Sequence, residues 1–118
     1  MEVQNTYKTT WFKARAACQK LGGDLAVPMN NKENSAILNI VKQKSLSQPF
    51  IGFRRHKDNK FYTVQGVMPS YMKWQPGEPN GPNHEHCVHF YNNNGKWNDI
   101  PCSNQYPFIC QRHLIKRK

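Results

Sequence analysis

Residues 78–102 read EPNGPNHEHCVHFYNNNGKWNDIPC, and this stretch decides how the rest of the chain is read. The whole protein has 7 acidic residues against 17 Lys plus Arg. Three of the acids (Glu78, Glu85, Asp99) nevertheless fall between positions 78 and 99, where Lys96 is the only lysine or arginine. Clustered carboxylates repel one another unless a cation lies between them, and carboxylates supplemented by Asn carbonyls form the oxygen-only donor set of a hard divalent ion. Calcium is the first reading. Within the same stretch, Asn94-Gly95 is a strong two-residue hairpin signal. Taken as the turn, it pairs the flanking runs so that Cys87 lies across from Cys102, which a disulfide would staple. Cys18 and Cys110 are then left to join the front of the chain to its end. In the chain-entropy model two such bridges contribute roughly 3 and 4.5 kcal/mol.

Outside this stretch, composition narrows the class. A chain of 118 residues reads as one domain, 1–118, burying about 65% of its unfolded surface, so covalent reinforcement is useful. Four cysteines with no Cys-x-x-Cys pair favour two disulfides, and an extracellular setting, over free thiols or a zinc site. No apolar run approaches the length of a membrane span. The opening Met1 to Asn5 lacks the regions of a signal peptide, so a secreted reading requires a removed leader or excision from a larger protein. The formal charge of +10 points to anionic glycans, anionic lipids or nucleic acid, or simply to solubility; residues 116–118 read as a frayed tail.

The order of elements reads as helices first and strands later. Thr9 or Thr10 caps a helix whose apolar face is Trp11, Ala14, Cys18 and Leu21, stopped by Gly22-Gly23. Asn30 with Glu33 opens a second helix that buries Ala36, Ile37, Ile40 and Val41 and ends before Pro49. From Phe50 the pattern turns to short β runs: Phe50 to Phe53, Phe61 to Val64, Cys87 to Tyr91, Lys96 to Ile100 and Tyr106 to Cys110. An α+β domain with largely antiparallel sheets follows, with a long Pro- and Gly-rich loop between Val64 and Cys87 that is of functional length.

These residues together resemble a C-type lectin carbohydrate-recognition domain of the short, four-cysteine form. The resemblance runs from about Thr6 to Gln111. It rests on the cysteine in the first helix, Leu25-Ala26-Val27-Pro28, Phe50-Ile51-Gly52-Phe53 in place of the usual Trp-Ile-Gly-Leu, Glu78-Pro79-Asn80, Cys87, Trp97-Asn98-Asp99, Cys102 and Cys110. It implies two helices packed on small antiparallel sheets, with disulfides Cys18–Cys110 and Cys87–Cys102. It also implies a calcium site formed by Glu78, Asn80, Glu85, Asn98 and Asp99, with a cis bond before Pro79. The same five residues would hold two vicinal sugar hydroxyls, and the Glu-Pro-Asn type goes with equatorial hydroxyls, as in mannose, fucose, N-acetylglucosamine and glucose. Members that bind an auxiliary calcium carry further acids where this chain has Arg54-Arg55, Gly81 and His86, so one ion is expected. The loop 81–84 would then depend on Pro79 and Pro82 for order, and be mobile without the metal.

Competing readings are weaker. The run His84-Glu85-His86-Cys87-Val88-His89 invites zinc, but alternate strand residues face opposite ways, so His89 would not join the other two. Trp11, Trp74 and Trp97 fit core positions better than sugar platforms, and Arg54, Arg55, Lys57 and Lys60 read as a solvated basic loop. A small basic hydrolase of ribonuclease type would need organised histidines, which their spacing does not supply, and the acidic cluster would repel nucleic acid. A lectin-like fold that binds protein or ice without sugar is the remaining alternative. A non-catalytic lectin module, assembled in several copies for avidity, is the expectation.

Overall fold

The computed structural model describes residues 2–81, 83–91 and 94–112. Its elements run β1 (Glu2–Thr9), α1 (Trp11–Lys20), β2 (Gly23–Leu25), α2 (Asn31–Gln43), β3 (Phe50–Arg55), β4 (Phe61–Thr63), β5 (Cys87–Tyr91), β6 (Lys96–Ile100) and β7 (Tyr106–Arg112). One connected sheet has the order β1-β7-β3-β5-β6, with β2 added to β7 and β4 to β3. Its pairings are antiparallel except for the single parallel contact of β3 with β7 at Phe50 and Phe108. The α+β class holds, with one mixed sheet in place of several small antiparallel ones.

The helices start where their caps predict. Thr10 accepts a hydrogen bond from the Lys13 amide at 3.4 Å, and Asn30 accepts one from Glu33 at 2.8 Å. Trp11, Ala14 and Cys18 are buried. Leu21 is instead 52% exposed, because it is the C-cap residue before Gly22 at φ +88°, where helical periodicity has ended. The second helix is also turned from expectation: it buries Asn34, Ile37 and Val41, while Ala36 faces solvent and Ile40 is half-buried. Asn34 takes the inner position because both ends of its amide are used. It donates to the Gly95 carbonyl at 2.6 Å and accepts from the Trp97 indole at 3.0 Å.

Strands β1 and β2 carry no apolar alternation, so no sequence pattern marks them as strands. Both pair with β7, so backbone hydrogen bonds define them where side-chain pattern does not. Trp11 and Trp97 are 1% exposed, and Trp74 packs against the larger of two buried clusters. Both disulfides are formed as expected, Cys18–Cys110 with Cα atoms 5.3 Å apart and Cys87–Cys102 with 5.1 Å.

The hairpin register differs by two residues from the expected one. Tyr91 pairs with Lys96 and Cys87 with Ile100, so the turn spans residues 92–95, of which 92 and 93 lie outside the described residues. A shift of two preserves the face of every side chain, and Cys102, just past the strand, still reaches Cys87. The long loop is strapped to β6 from outside: the Gln75 amide donates to the Trp97 carbonyl and the Trp97 amide to the Lys73 carbonyl, each at 2.8 Å. That strap delivers residues 78–81 to the middle of β6, where Asn98 and Asp99 sit.

Candidate metal centre

The strap and the hairpin bring three carboxylates together. One oxygen from each of Glu78, Glu85 and Asp99 lies within 4.8 Å of the others, and among the described residues this is the group of acidic, His or Cys ligands close enough to share a metal ion. The Glu78-Pro79 bond is cis, as the resemblance implied. Asp99 is the hub: it is fully buried and accepts from the Asn80 amide at 3.1 Å and from the Gly81 amide at 2.9 Å. Asn80 itself is exposed and meets the cluster through its main chain.

Two of the carboxylate oxygens, Glu78 Oε1 and Glu85 Oε1, are buried without a hydrogen-bond partner. A buried carboxylate oxygen without a donor is costly, and a hard cation is the group that would satisfy both at once, so these residues fit the calcium that the sequence suggested. Their titration shows the same tension. Burial, then the Asp99 hydrogen bond and the Asp99 and Glu85 charges, push Glu78 up to about 7. Burial and the Asp99 charge also raise Glu85. Burial works to raise Asp99 too, but hydrogen bonds from Glu78 and from the Gly81 and Asn80 amides outweigh it and hold Asp99 below the usual carboxylate range. Of the pair, Glu78 is therefore the carboxyl whose protonation the metal-free site favours.

Asn98 is the neighbouring position on β6, and its side chain turns to the opposite strand. Its Nδ2 lies 3.2 Å from His89 Nε2, directly across the hairpin, and His89 Nδ1 lies 3.2 Å from the Gln48 carbonyl. A carbonyl only accepts, which assigns the ring proton to Nδ1 and leaves Nε2 to accept from the Asn98 amide. Burial pushes His89 down to about 4, so the ring is neutral. This fixes the Asn98 amide with its oxygen on the side away from His89.

The structure also corrects the basic loop. Arg54 is exposed, with its guanidinium 5.1 Å from the centre of the Phe12 ring, but Arg55 is only 6% exposed and belongs to the site. Its Nη2 donates to Asp99 Oδ2 at 2.7 Å, its Nε to the Glu85 carbonyl at 3.2 Å, and its guanidinium lies 4.5 Å from the centre of the Phe61 ring. Position in β3 is the only sequence signal for it: alternation puts Arg55 on the face of buried Phe53. The loop 81–84 does not rest on proline alone, since the Gly81 carbonyl accepts from the Glu85 amide at 2.7 Å and from His84 at 3.2 Å; Pro82 lies outside the described residues. A Cβ at Gly81 would meet the Glu85 carboxylate, so a larger residue there would push that side chain out of its present place. Among the described residues no histidine joins a group close enough to share a metal: His56 lies tilted against Tyr62, His84 is exposed, His86 is half-buried and His89 is sealed inside. A cavity of about 530 Å³ beside the cluster is lined by Arg54, His56, Lys57, Asp58 and His86.

Comparison with known proteins gives the same outline. Residues 7–112 match the family described as Lectin C-type domain. Human lithostathine is 27% identical, with 90% of this chain and 86% of that one covered and a TM-score of 0.82. The C-type carbohydrate-recognition domain of cow CD23, solved in the presence of GlcNAc2Man3 oligosaccharide, is 30% identical over 87% of this chain and 79% of that one, at a TM-score of 0.77. A calcium-independent type II antifreeze protein is 26% identical over 92% and 80%, at 0.80.

Proposed function

This chain belongs to the C-type lectin domain family, and on that premise we propose that it is a calcium-dependent carbohydrate-binding module for mannose-type sugars, outside the cell and without catalysis. The observation that carries the reading is the pair of buried, unpartnered oxygens of Glu78 and Glu85 facing the Asp99 carboxylate. Glu78, Asn80, Glu85, Asn98 and Asp99 would hold the ion. Calcium accepts 6–8 oxygens, so five side chains leave positions for two vicinal hydroxyls.

The chain's own groups then select the hydroxyls: carboxylates accept from them and the Asn80 and Asn98 amides donate to them. Glu before Pro79 and Asn after it place acceptor and donor in the order associated with equatorial hydroxyls. The oligosaccharide in the cow CD23 structure supports this class of ligand. Contacts of this kind are shallow, so several copies presented together would supply avidity. The exposed basic side chains near the site, Arg54 and Lys57, make acidic glycans a second ligand class to include in any screen.

Retention on immobilised mannose measured with calcium and with chelator tests the proposal. Calcium-dependent retention released by chelator or by free mannose is expected. Retention that persists in chelator would sink calcium-mediated recognition. It would instead favour a metal-free mode, for which the Arg55–Asp99 pair and the calcium-independent antifreeze relative are the grounds.

A further inference from the structure

We propose that Arg55 is a positioning residue for the Glu78, Glu85 and Asp99 site, a resident cation that clamps Asp99 to the main chain of Glu85 and holds the binding loop in shape before any metal arrives. The contacts come from three directions. Through Nη2 the guanidinium holds Asp99 on β6, through Nε it holds the Glu85 carbonyl at the end of the loop, and its face covers Phe61 on β4. Its own amide donates to the His86 carbonyl at 2.7 Å, so backbone and side chain grip adjacent residues of the loop end.

The clamp reaches the rest of the loop through Asp99. The oxygen that accepts from Arg55, Oδ2, also accepts from the Gly81 and Asn80 amides. Gly81 in turn accepts from the Glu85 amide, and Glu85 is held by Arg55 again. The circuit Arg55, Asp99, Gly81, Glu85 closes without an ion. Charge follows the same logic: once an ion has displaced the Glu78 proton, three carboxylates and one guanidinium leave two unbalanced negative charges, the charge of one divalent cation. A buried ion pair is stabilising only when further hydrogen bonds complete it, and here the Asn80 and Gly81 amides and the Glu85 carbonyl supply them. The inference rests on the calcium reading for its purpose, while its contacts stand without it.

Amide hydrogen exchange at Asn80, Gly81 and Glu85, followed in chelator and in calcium, tests the clamp against a merely structural ion pair. For the unmodified protein these amides are expected to be protected in both conditions. In Arg55→Met they should exchange about tenfold faster in chelator and recover in calcium, while the core amides of Ile51 and Trp97 are unchanged. Arg55→Lys keeps the charge but cannot donate at two points in a fork, so its loop amides should fall between the two. Equal exchange in Arg55→Met and the unmodified protein would overturn the proposal. So would an unmodified loop that exchanges freely in chelator. If Arg55→Met fails to fold without calcium, Arg55→Lys decides, and loop protection equal to that of the unmodified protein would overturn the clamp. Absence of any calcium-binding heat with the unmodified protein would instead overturn the calcium reading, and the comparison in chelator would still decide Arg55.

Discussion

At position 89 a histidine sealed in the interior sets the direction of a side chain that would contact the ligand. Read along the chain, His89 looks like part of a histidine-rich run. Placed across the hairpin from Asn98, it becomes the acceptor that orients that amide. His89→Phe keeps a ring against Tyr106, whose centre lies 4.8 Å away, but removes the acceptor. Outer partners of metal ligands typically contribute tenfold or more to affinity, so calorimetry should show calcium binding weakened by about tenfold. The lost hydrogen bonds should lower stability by about 1–3 kcal/mol. Arg55 teaches the same lesson with opposite chemistry. A dibasic pair beside a turn reads as surface, and only the strand's alternation separates the buried Arg55 from the exposed Arg54.

Among the elements, the hairpin of β5 and β6 was the most legible, because Asn94-Gly95 and two flanking cysteines mark it in the sequence. Its register was not, since a two-residue turn and a longer one leave the same faces inward and differ only by two residues of slip. The second helix misled for a related reason: Asn34 is polar, and burial of its amide depends on Gly95 and Trp97, more than 60 positions away. The disulfide Cys87–Cys102 closes a short span of 15 residues around the strands that carry Asn98 and Asp99. Replacing both cysteines with alanine should cost about 3 kcal/mol in denaturant unfolding. It should also weaken calcium binding more than the corresponding change at Cys18 and Cys110, a bridge that ties the first helix to β7, neither of which carries a candidate ligand. Equal weakening by the two changes would show that the hairpin is not held locally.

On the scale of the whole molecule, the cluster couples folding to pH and to metal. Glu78 has its carboxyl raised from 4.5 to about 7 in the metal-free fold. The native state then binds a proton more tightly than the unfolded chain, so this contribution to stability is complete below pH 4.5 and is lost as pH rises through about 7. His89 runs the other way: lowered from 6.5 to about 4, it contributes stability that is lost as pH falls through about 4. Calcium needs Glu78 ionised and should displace its proton. Thermal unfolding in chelator and in calcium should therefore show a calcium-dependent gain that grows between pH 4.5 and about 7 and then levels off; a gain independent of pH would mean that Glu78 does not hold the ion. The sequence alone determined the α+β class, both disulfides and the cap residues of the helices, because local hydrogen bonding, hydrophobic period and cysteine spacing are written in neighbouring residues; the five candidate ligands came from the family resemblance. Only the tertiary structure decided that β1 and β2 are strands, that Asn34 and His89 are interior, and that Arg55 closes the Glu78-Pro79-Asn80 loop onto Asp99. Each of those outcomes depends on which polar group meets which across tens of residues, and a buried polar group takes its role from the partner that satisfies it.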